Sequence, residues 1–125
     1  MYPRDLKYTK DHEWINIDGN IATIGITDFA QKELGDIIFI ELPQVGDSFT
    51  KGDVFGTIEA VKTVADLFMP ISGRITELNS LIEDNPELVN KDAFNNGWIV
   101  KINLNNKAEI SDLLTQNEYL NIINE

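Results

Sequence analysis

The sequence predicts a mostly β fold, a small sandwich or partly open barrel with short helices and a helical C-terminal tail. Many short segments rich in β-branched and aromatic residues are separated by turn residues, among them 8 glycines and 4 prolines. Closely spaced short strands of this kind are typical of small sandwiches and barrels. With 125 residues, 42% of them hydrophobic, the chain can form one domain, residues 1–125, with a core of its own.

The first predicted elements are a hairpin and a short helix. Two alternating segments, residues 12–17 and 21–26, flank the turn dipeptide Asp18-Gly19. A short helix is predicted on residues 29–34 and is ended by Gly35, because glycine is favoured just past a helix C-terminus.

The next segment is predicted to be a strand followed by two turns. Residues 37–42 are β-branched and aromatic, and Pro43 stops the run. The Gly-Asp turn signals at 45–47 and 51–53 then lead into the central part of the chain.

The C-terminal half is predicted to contain two strands, residues 74–78 and 98–104. Between them, Asn85-Pro86 has the composition of a helix start, with asparagine as cap and proline at the first helical position. The tail, residues 108–125, has apolar residues at helical spacing in two pieces, with a break predicted near Gln116-Asn117.

The central segment, residues 56–73, places one lysine, Lys62, among small and apolar residues. A carboxylate lies three residues before the lysine, at Glu59, and another lies four residues after it, at Asp66. An exposed lysine is mostly protonated at neutral pH and is then a poor nucleophile. If the lysine is exposed, it is better suited to being acylated by another enzyme than to catalysis, which would need its burial.

Two conformations compete for this segment. Apolar residues recur at intervals of three and four positions, which favours one face of an amphipathic helix. The residues of that face are Ile58, Val61, Ala65 and Phe68. Alternatively, two β-rich arms, residues 54–60 and 64–69, pair with each other around a bend at Val61-Lys62. Since no Asn-Gly or Asp-Gly dipeptide lies at that bend, the pattern alone favours the helix.

A set of short stretches follows a characteristic order along the chain. They are His12-Glu13-Trp14, Ala22-Thr23-Ile24-Gly25-Ile26-Thr27, Gly35-Asp36-Ile37, Glu41-Leu42-Pro43, Val45-Gly46-Asp47, Glu59-Ala60-Val61-Lys62, Asp66, Pro70-Ile71-Ser72-Gly73 and Gly97-Trp98. In this order they resemble the glycine cleavage system H-protein family of lipoyl carrier proteins, from about Lys7 to the tail. Ala60 and Thr63 stand where that family usually has serine and alanine, and Phe29 where it often has histidine.

The resemblance implies a barrel-sandwich hybrid of the lipoyl- and biotinyl-domain type, and it favours the hairpin, at about residues 54–70, over the helix. It implies that Lys62 at the exposed tip carries lipoate as a covalent cofactor, and that Glu59 and Val61 take part in recognition by the acylating enzyme. It also implies that Glu13 and Asp66 lie in a cleft that holds the loaded arm. No catalytic residue and no metal ligand is implied.

The resemblance further implies a carrier that is not itself an enzyme. Its lipoyl-lysine arm would carry an aminomethyl group and reducing equivalents between glycine decarboxylase (P-protein), aminomethyltransferase (T-protein) and dihydrolipoyl dehydrogenase (L-protein). A lipoate ligase or lipoyl transferase would load it. Three alternatives stay open: a relay of lipoyl groups to other lipoate-dependent complexes, a biotin carrier domain, and a small acidic hydrolase that uses Glu13 and Asp66.

Composition limits the other function classes. The net charge is −11, from 21 acidic against 10 basic residues, which disfavours nucleic acid and anionic membranes as partners. The chain has no cysteine for a disulfide or thiolate site, and His12, its one histidine, is expected to pack and hydrogen-bond near Trp14. No apolar run is long enough to span a bilayer, and residues 1–5 do not have the composition of an apolar signal region. A monomeric cytoplasmic protein is expected.

Overall fold

The computed structural model describes residues 2–124 and contains two antiparallel β-sheets, short helices and a C-terminal helix. The strands are β1 (Lys7–Tyr8), β2 (Glu13–Asp18), β3 (Ile21–Ile26), β4 (Ile37–Glu41), β5 (Ser48–Phe49), β6 (Val54–Ala60), β7 (Val64–Phe68), β8 (Gly73–Leu78) and β9 (Val100–Leu104). The helices are α1 (Asp28–Leu34), α2 (Ser80–Asp84), α3 (Leu88–Lys91), a 3-10 helix (Lys107–Asp112) and α4 (Gln116–Ile123).

The larger sheet has the strand order β1-β2-β3-β9-β8-β5, and the smaller sheet has the order β4-β6-β7. One hydrophobic cluster joins them, because each sheet contributes buried side chains to it. Ile24 and Ile102 come from the larger sheet, and Ile58 and Leu67 come from the smaller one. The predicted mostly β fold with short helices and a C-terminal helix is therefore confirmed.

A second, aromatic cluster fixes the C-terminal helix to the N-terminal segment. Its buried members are Tyr2, Leu6, Tyr8, Trp14, Tyr119 and Ile123. The rings of Tyr8 and Tyr119 stack with their centroids 4.9 Å apart. The tail is helical in two pieces, as predicted, but the break lies earlier than Gln116. Thr115 begins α4 there through a reciprocal capping box with Glu118.

The predicted hairpin around Asp18-Gly19 is confirmed as β2 and β3. The helix predicted after Asn85-Pro86 is present as α3, but it begins at Leu88 and its N-cap is Glu87 rather than Asn85. A helix that the sequence pattern missed, α2, is capped by Asn79 and ends at Asn85, whose backbone N–H bonds to Leu81 O. Leu88 N donates to Asn85 O and Val89 N to Pro86 O, so a turn at Asn85-Pro86 joins α2 to α3.

The helical interpretation of the lysine segment is also wrong. Its proposed face would place Ile58 and Val61 on the same side of a helix. Ile58 is 1% exposed, whereas Val61 is 72% exposed, because the segment forms the hairpin β6–β7 with alternating sides. Within residues 2–124, no helix combines the length and apolar composition that crossing a membrane requires.

Gly56 lets the middle strand of the smaller sheet approach its neighbour. A Cβ atom at this position would collide with the carbonyl oxygen of Glu41 in β4. The register of β6 against β7 also shifts between Val54 and Gly56. The glycine therefore allows both close approach and bending at the base of the lysine hairpin.

We predict that Gly56→Ala lowers the free energy of unfolding by about 3 kcal/mol, because the clash is with backbone that cannot move aside. Chemical denaturation measures the change. Gly19→Ala is the matched control: its φ of +63° makes a Cβ unfavourable, but nothing lies within 4 Å. It should cost about 1 kcal/mol. Equal losses in the two variants would show that crowding at Gly56 is unimportant.

Candidate functional site

Lys62 lies at the exposed tip of the β6–β7 hairpin. The last paired residues are Glu59 and Val64, and Ala60 N donates to Thr63 O at 2.8 Å. Neither Val61 nor Lys62 has a positive φ, so the bend is not the type I′ turn that demands Asn-Gly. This is why the usual hairpin signal is missing although the hairpin forms.

The tip is fixed to the loop that follows α1. Val61 N donates to Asp36 O at 3.0 Å. The Lys62 side chain lies along Gly35: a Cβ built on that glycine would come within 3.3 Å of Lys62 Cε. Gly35 has φ +79° and ends α1, so it provides the turn and also leaves room for the lysine stem.

Asn90 in α3 holds this loop in place. Its Oδ1 accepts from Ile37 N at 3.0 Å, and its Nδ2 donates to Gly35 O and to Gln31 Oε1, both at 2.9 Å. The sequence analysis did not single out Asn90. No local signal was available, because its partners lie more than 50 positions earlier in the chain.

A cavity of about 180 Å³ lies between α1, β7 and the start of β2. Its apolar lining includes Ile26, Ala30, Leu34 and Ile58, and its carboxylates are Asp11, Glu13, Glu33 and Asp66. An α-helix rises about 1.5 Å per residue, so the distance along α1 from Gly35 to Ala30 is roughly 7–8 Å. One short helix, α1, therefore lines the cavity and ends at the glycine beside the Lys62 side chain.

A larger cavity of about 470 Å³ lies on the other side of Glu13. Thr9, Lys51 and Pro70 are among its lining residues, but no residue of α1 and none from Ile58 to Leu67 reaches it. Because it does not connect to the helix that supports Lys62, we assign the candidate site to the smaller cavity.

The two predicted carboxylates, Glu13 and Asp66, line this cavity together but in different environments. Asp66 is exposed on β7. Glu13 is only 2% exposed; its carboxylate accepts from Thr9 Oγ1 at 2.9 Å and from Phe68 N at 3.2 Å. Burial raises the pKa of Glu13 to about 7. The hydrogen bond from Thr9 acts in the opposite direction, and the charge of Asp11 adds a smaller increase.

His12, beside Glu13, is partly buried and lines the same cavity. Its Nδ1 lies 2.8 Å from Tyr119 Oη, and its ring packs on Phe29 with centroids 4.7 Å apart. Burial lowers the pKa of His12 below its ordinary value, against the charges of Asp11 and Glu33, and so favours the neutral ring. The expectation that it packs and hydrogen-bonds is confirmed.

Tyr119 is a second residue that sequence reasoning missed. Its hydroxyl also lies 2.7 Å from Thr27 Oγ1, and that oxygen accepts from Ala30 N as the N-cap of α1. The C-terminal helix thereby reaches the start of the helix that lines the cavity. Apolar periodicity placed Tyr119 on a helix face but gave no indication of its polar partners.

The two residues predicted to aid recognition of the lysine are accessible. Glu59 is exposed on β6, three positions before Lys62, and Val61 is exposed at the tip. In the part of the chain that the structure describes, no group of three or more His, Cys, Asp or Glu side chains is arranged to hold a metal ion.

Comparison with known proteins agrees with this geometry. Residues 6–125 match the family model described as Glycine cleavage H-protein. The chain is 51% identical to the glycine cleavage system H protein of Carboxydothermus hydrogenoformans over 125 residues, covering all of this chain and 96% of that one. It is 48% identical to the protein of the same name from Staphylococcus haemolyticus over 123 residues, covering 98% of each.

The fold is similar to the crystal structure of a glycine cleavage system H protein from Mycobacterium marinum. The TM-score is 0.88 at 35% identity, with 99% of this chain and 100% of that chain covered. The predicted barrel-sandwich hybrid is thereby confirmed. Family model, relatives and fold agree over almost the whole length, and the chain belongs to the glycine cleavage system H-protein family.

Proposed function

We propose that residues 1–125 act as a single lipoyl-carrier domain of the glycine cleavage system, with lipoate attached covalently at Lys62. The observation that supports this most is the position of Lys62: exposed at a hairpin tip, fixed through Val61 to a rigid loop, and beside a cavity. Such a lysine has the access that an acylating enzyme needs. Glu59 and Val61, exposed next to it, serve that enzyme's recognition.

The residues present fit a lipoyl group. Gly35 leaves space along the lysine stem, and the cavity beyond it is apolar on most of its wall. When bound, lipoate supplies a strained disulfide that takes up electrons and a carbon group together at the end of a flexible arm. We propose that the chain is a carrier and not an enzyme, because Lys62 is exposed at the hairpin tip, where another enzyme can acylate it.

Glu13 and Asp66 are proposed to hold the aminomethyl cargo. The cargo's amine is cationic, and carboxylates bind such a group through charge-assisted hydrogen bonds. Asp66 is exposed on the cavity wall and meets the cation first. Glu13 lies deeper, and a cation beside it would favour its ionised form, so cargo binding would release a proton from it.

The proposed partners are glycine decarboxylase, aminomethyltransferase and dihydrolipoyl dehydrogenase, together with a lipoate ligase or lipoyl transferase. A tethered arm raises the concentration of its reactive end at each of these enzymes. We further propose that the protein is a cytoplasmic monomer. A relay role toward other lipoate-dependent complexes would use the same Lys62. Biotin carrier domains typically place their lysine between two methionines. Here Val61 and Thr63 flank the lysine, which disfavours a biotin carrier.

We predict that incubation with a lipoate ligase adds one lipoyl group at Lys62, measured by intact mass and peptide mapping. Lys62→Arg should keep the fold and show no detectable glycine cleavage in a reconstituted system, because the guanidinium is not acylated. Lys91→Arg, a conservative change of another exposed lysine, is the control and should behave as the wild type. A biotin increment, or turnover by Lys62→Arg, would contradict the carrier function.

We also predict that Glu13→Gln combined with Asp66→Asn shortens the lifetime of the loaded aminomethyl arm. Loss of a charge-assisted hydrogen bond costs about 1.5–3 kcal/mol, which corresponds to a roughly 10- to 100-fold shorter lifetime. The lifetime is followed by release of formaldehyde and ammonia from the purified loaded protein. Glu83→Gln with Asp84→Asn, on exposed α2, removes the same charge away from the site. If both double variants keep the wild-type lifetime, these carboxylates do not protect the cargo.

Buried Glu13 predicts a specific pH dependence of stability. Its folded-state pKa of about 7 lies above the usual 4.5, so the folded chain retains a proton that the unfolded chain releases between these pH values. The free energy of unfolding therefore falls as pH rises through this window, by about 3 kcal/mol in total.

The glutamine side chain introduced by Glu13→Gln cannot ionise, so this substitution should remove the fall. The free energy of unfolding of Glu13→Gln minus that of the wild type should therefore increase by about 2–3 kcal/mol from pH 5 to pH 8. Urea denaturation at both pH values measures the difference. Asp84→Asn, which removes an exposed carboxylate, should follow the wild type at both. A constant difference between wild type and Glu13→Gln would mean that Glu13 ionises normally in the folded protein.

A further inference from the structure

A tight loop before β2 brings the Thr9 side chain against the buried carboxylate of Glu13. Thr9 N donates to Glu13 O and His12 N donates to Thr9 O, both at 3.1 Å. His12 has a φ of +68°, in the left-handed region, where the chain can reverse over a few residues. The loop therefore closes on itself, and Thr9 Oγ1 lies 2.9 Å from Glu13 Oε1.

The direction of the Thr9 hydroxyl is fixed by its other hydrogen bonds. Its Oγ1 accepts from Asp11 N and from Glu13 N, both at 3.2 Å. A hydroxyl group has two acceptor positions and one hydrogen. Because both acceptor positions of Thr9 are used, its hydrogen is directed to the remaining neighbour, Glu13 Oε1. Thr9 is thus a fixed donor, and a fixed donor favours the ionised form of the carboxyl group.

Thr9 approaches the carboxylate from the side away from the candidate site. Glu13 lines both cavities, whereas Thr9 lines only the larger one, of about 470 Å³. The second donor, Phe68 N at 3.2 Å from Oε2, belongs to a residue that lines neither cavity. Each carboxylate oxygen can accept more than one hydrogen bond, and within residues 2–124 each accepts one. The remaining acceptor capacity is left for a group in the smaller cavity.

We propose that Thr9 is a positioning residue for the cargo, because its hydroxyl orients the Glu13 carboxylate toward the smaller cavity and favours the ionised form that a cation requires. The inference rests on the proposed function. Thr9 itself does not touch the cargo and acts only through Glu13. No covalent bond to carbon, nitrogen or sulfur forms or breaks in this step; the carboxyl group gives its proton to water when the cation approaches.

The charges around Glu13 do not provide this effect. The titratable groups that line the two cavities with it are Tyr8, Lys10, Asp11 and His12 before β2, Glu33 on α1, Lys51 after β5, Asp66 on β7 and Asp112 in the 3-10 helix. Among residues 2–124 no salt bridge includes Glu13, and the charge of Asp11 raises its pKa. The influences that favour ionisation are the hydrogen bonds from Thr9 and from Phe68 N. Of these two donors, only the hydroxyl can be removed by changing a side chain.

The first measurement is the titration of the Glu13 carboxyl group in the unmodified protein, followed by its carbon chemical shift in NMR. Thr9→Val keeps the shape of the side chain but removes the hydroxyl, so the titration midpoint should rise by about one to two pH units. Thr9→Ser keeps the hydroxyl and should titrate as the wild type. Thr76→Val, at an exposed position on β8, is the control and should also match it. An unchanged midpoint in Thr9→Val would overturn the proposal.

The second measurement is the lifetime of the loaded aminomethyl arm. With a pKa of about 7, roughly half of Glu13 is ionised at pH 7, and a midpoint one pH unit higher leaves about a tenth ionised. Thr9→Val should therefore shorten the lifetime about fivefold at pH 7, and the difference from the wild type should disappear at about pH 9, where Glu13 is ionised in both. A purely structural defect would shorten the lifetime at every pH.

A double variant separates an effect through Glu13 from an effect on the loop. Thr9→Val also removes the acceptor of two backbone N–H groups, so it should lower the stability of the loop. Added to Glu13→Gln, it should nevertheless cause no further shortening of the lifetime, because no ionisable group is left at position 13 for Thr9 to act on. A further shortening in this background would show that Thr9 acts through the loop and would contradict the proposal.

Failure of this proposal and failure of the proposed function give different results. If Glu13→Gln with Asp66→Asn shortens the lifetime but Thr9→Val does not, Thr9 is not a positioning residue and the cargo site stands. If that double variant also keeps the wild-type lifetime, the carboxylates do not hold the cargo, and the proposal for Thr9 is wrong with them. If the wild type is never acylated at Lys62, the carrier function and the proposal are both wrong.

Discussion

The hydrogen bond from Val61 N to Asp36 O is the constraint on which the rest of the site depends. A carrier lysine must be exposed, yet an exposed hairpin tip is normally free to bend. Here the tip is held to the loop that ends α1, and Asn90 holds that loop to α3. The mobile part is thereby limited to the lysine side chain and whatever it carries. For the carrier function proposed above, a lysine with a fixed backbone position would lose less entropy when a partner enzyme docks.

The two carboxylates of the cavity show how one fold gives the same chemical group two functions. Asp66 remains in contact with water, and this makes it suited to attracting a cation from solution. Glu13 is enclosed, and its hydrogen bonds from Thr9 and Phe68 N only partly offset the loss of hydration. The protein retains this unfavourable group although a domain of this size is stable by only about 5–15 kcal/mol. Such a cost is understandable if Glu13 acts on a charged cargo.

Local pattern predicted most strands, the Asp18-Gly19 turn and the helical tail, because alternation and turn residues act over a few positions. It did not predict the lysine hairpin, since the bend uses negative φ values that leave no mark on the sequence; the family resemblance supplied it. Lys62, Glu13 and Asp66 came from the same resemblance. Asn90 and Tyr119 could not be predicted, because each acts through partners more than 50 positions distant in sequence. Those contacts exist only once the fold has formed.

The residues that break ordinary rules of folding are concentrated around the candidate site. His12 has a φ of +68°, unusual for a residue with a side chain, and Glu13 is a buried carboxyl group with a pKa near 7. Phe39 and Val64 are apolar but exposed. Asn124, the other residue with a side chain at positive φ in residues 2–124, lies at the C-cap of α4, where that conformation is ordinary. Sequences are otherwise locally consistent with their folds, and exceptions collect where function requires them. His12 and Glu13 line the cavity, Phe39 and Val64 lie on the outer face of the sheet that carries Lys62, and Asp66 on β7 belongs to both, so the exceptions surround the lysine hairpin as one continuous region.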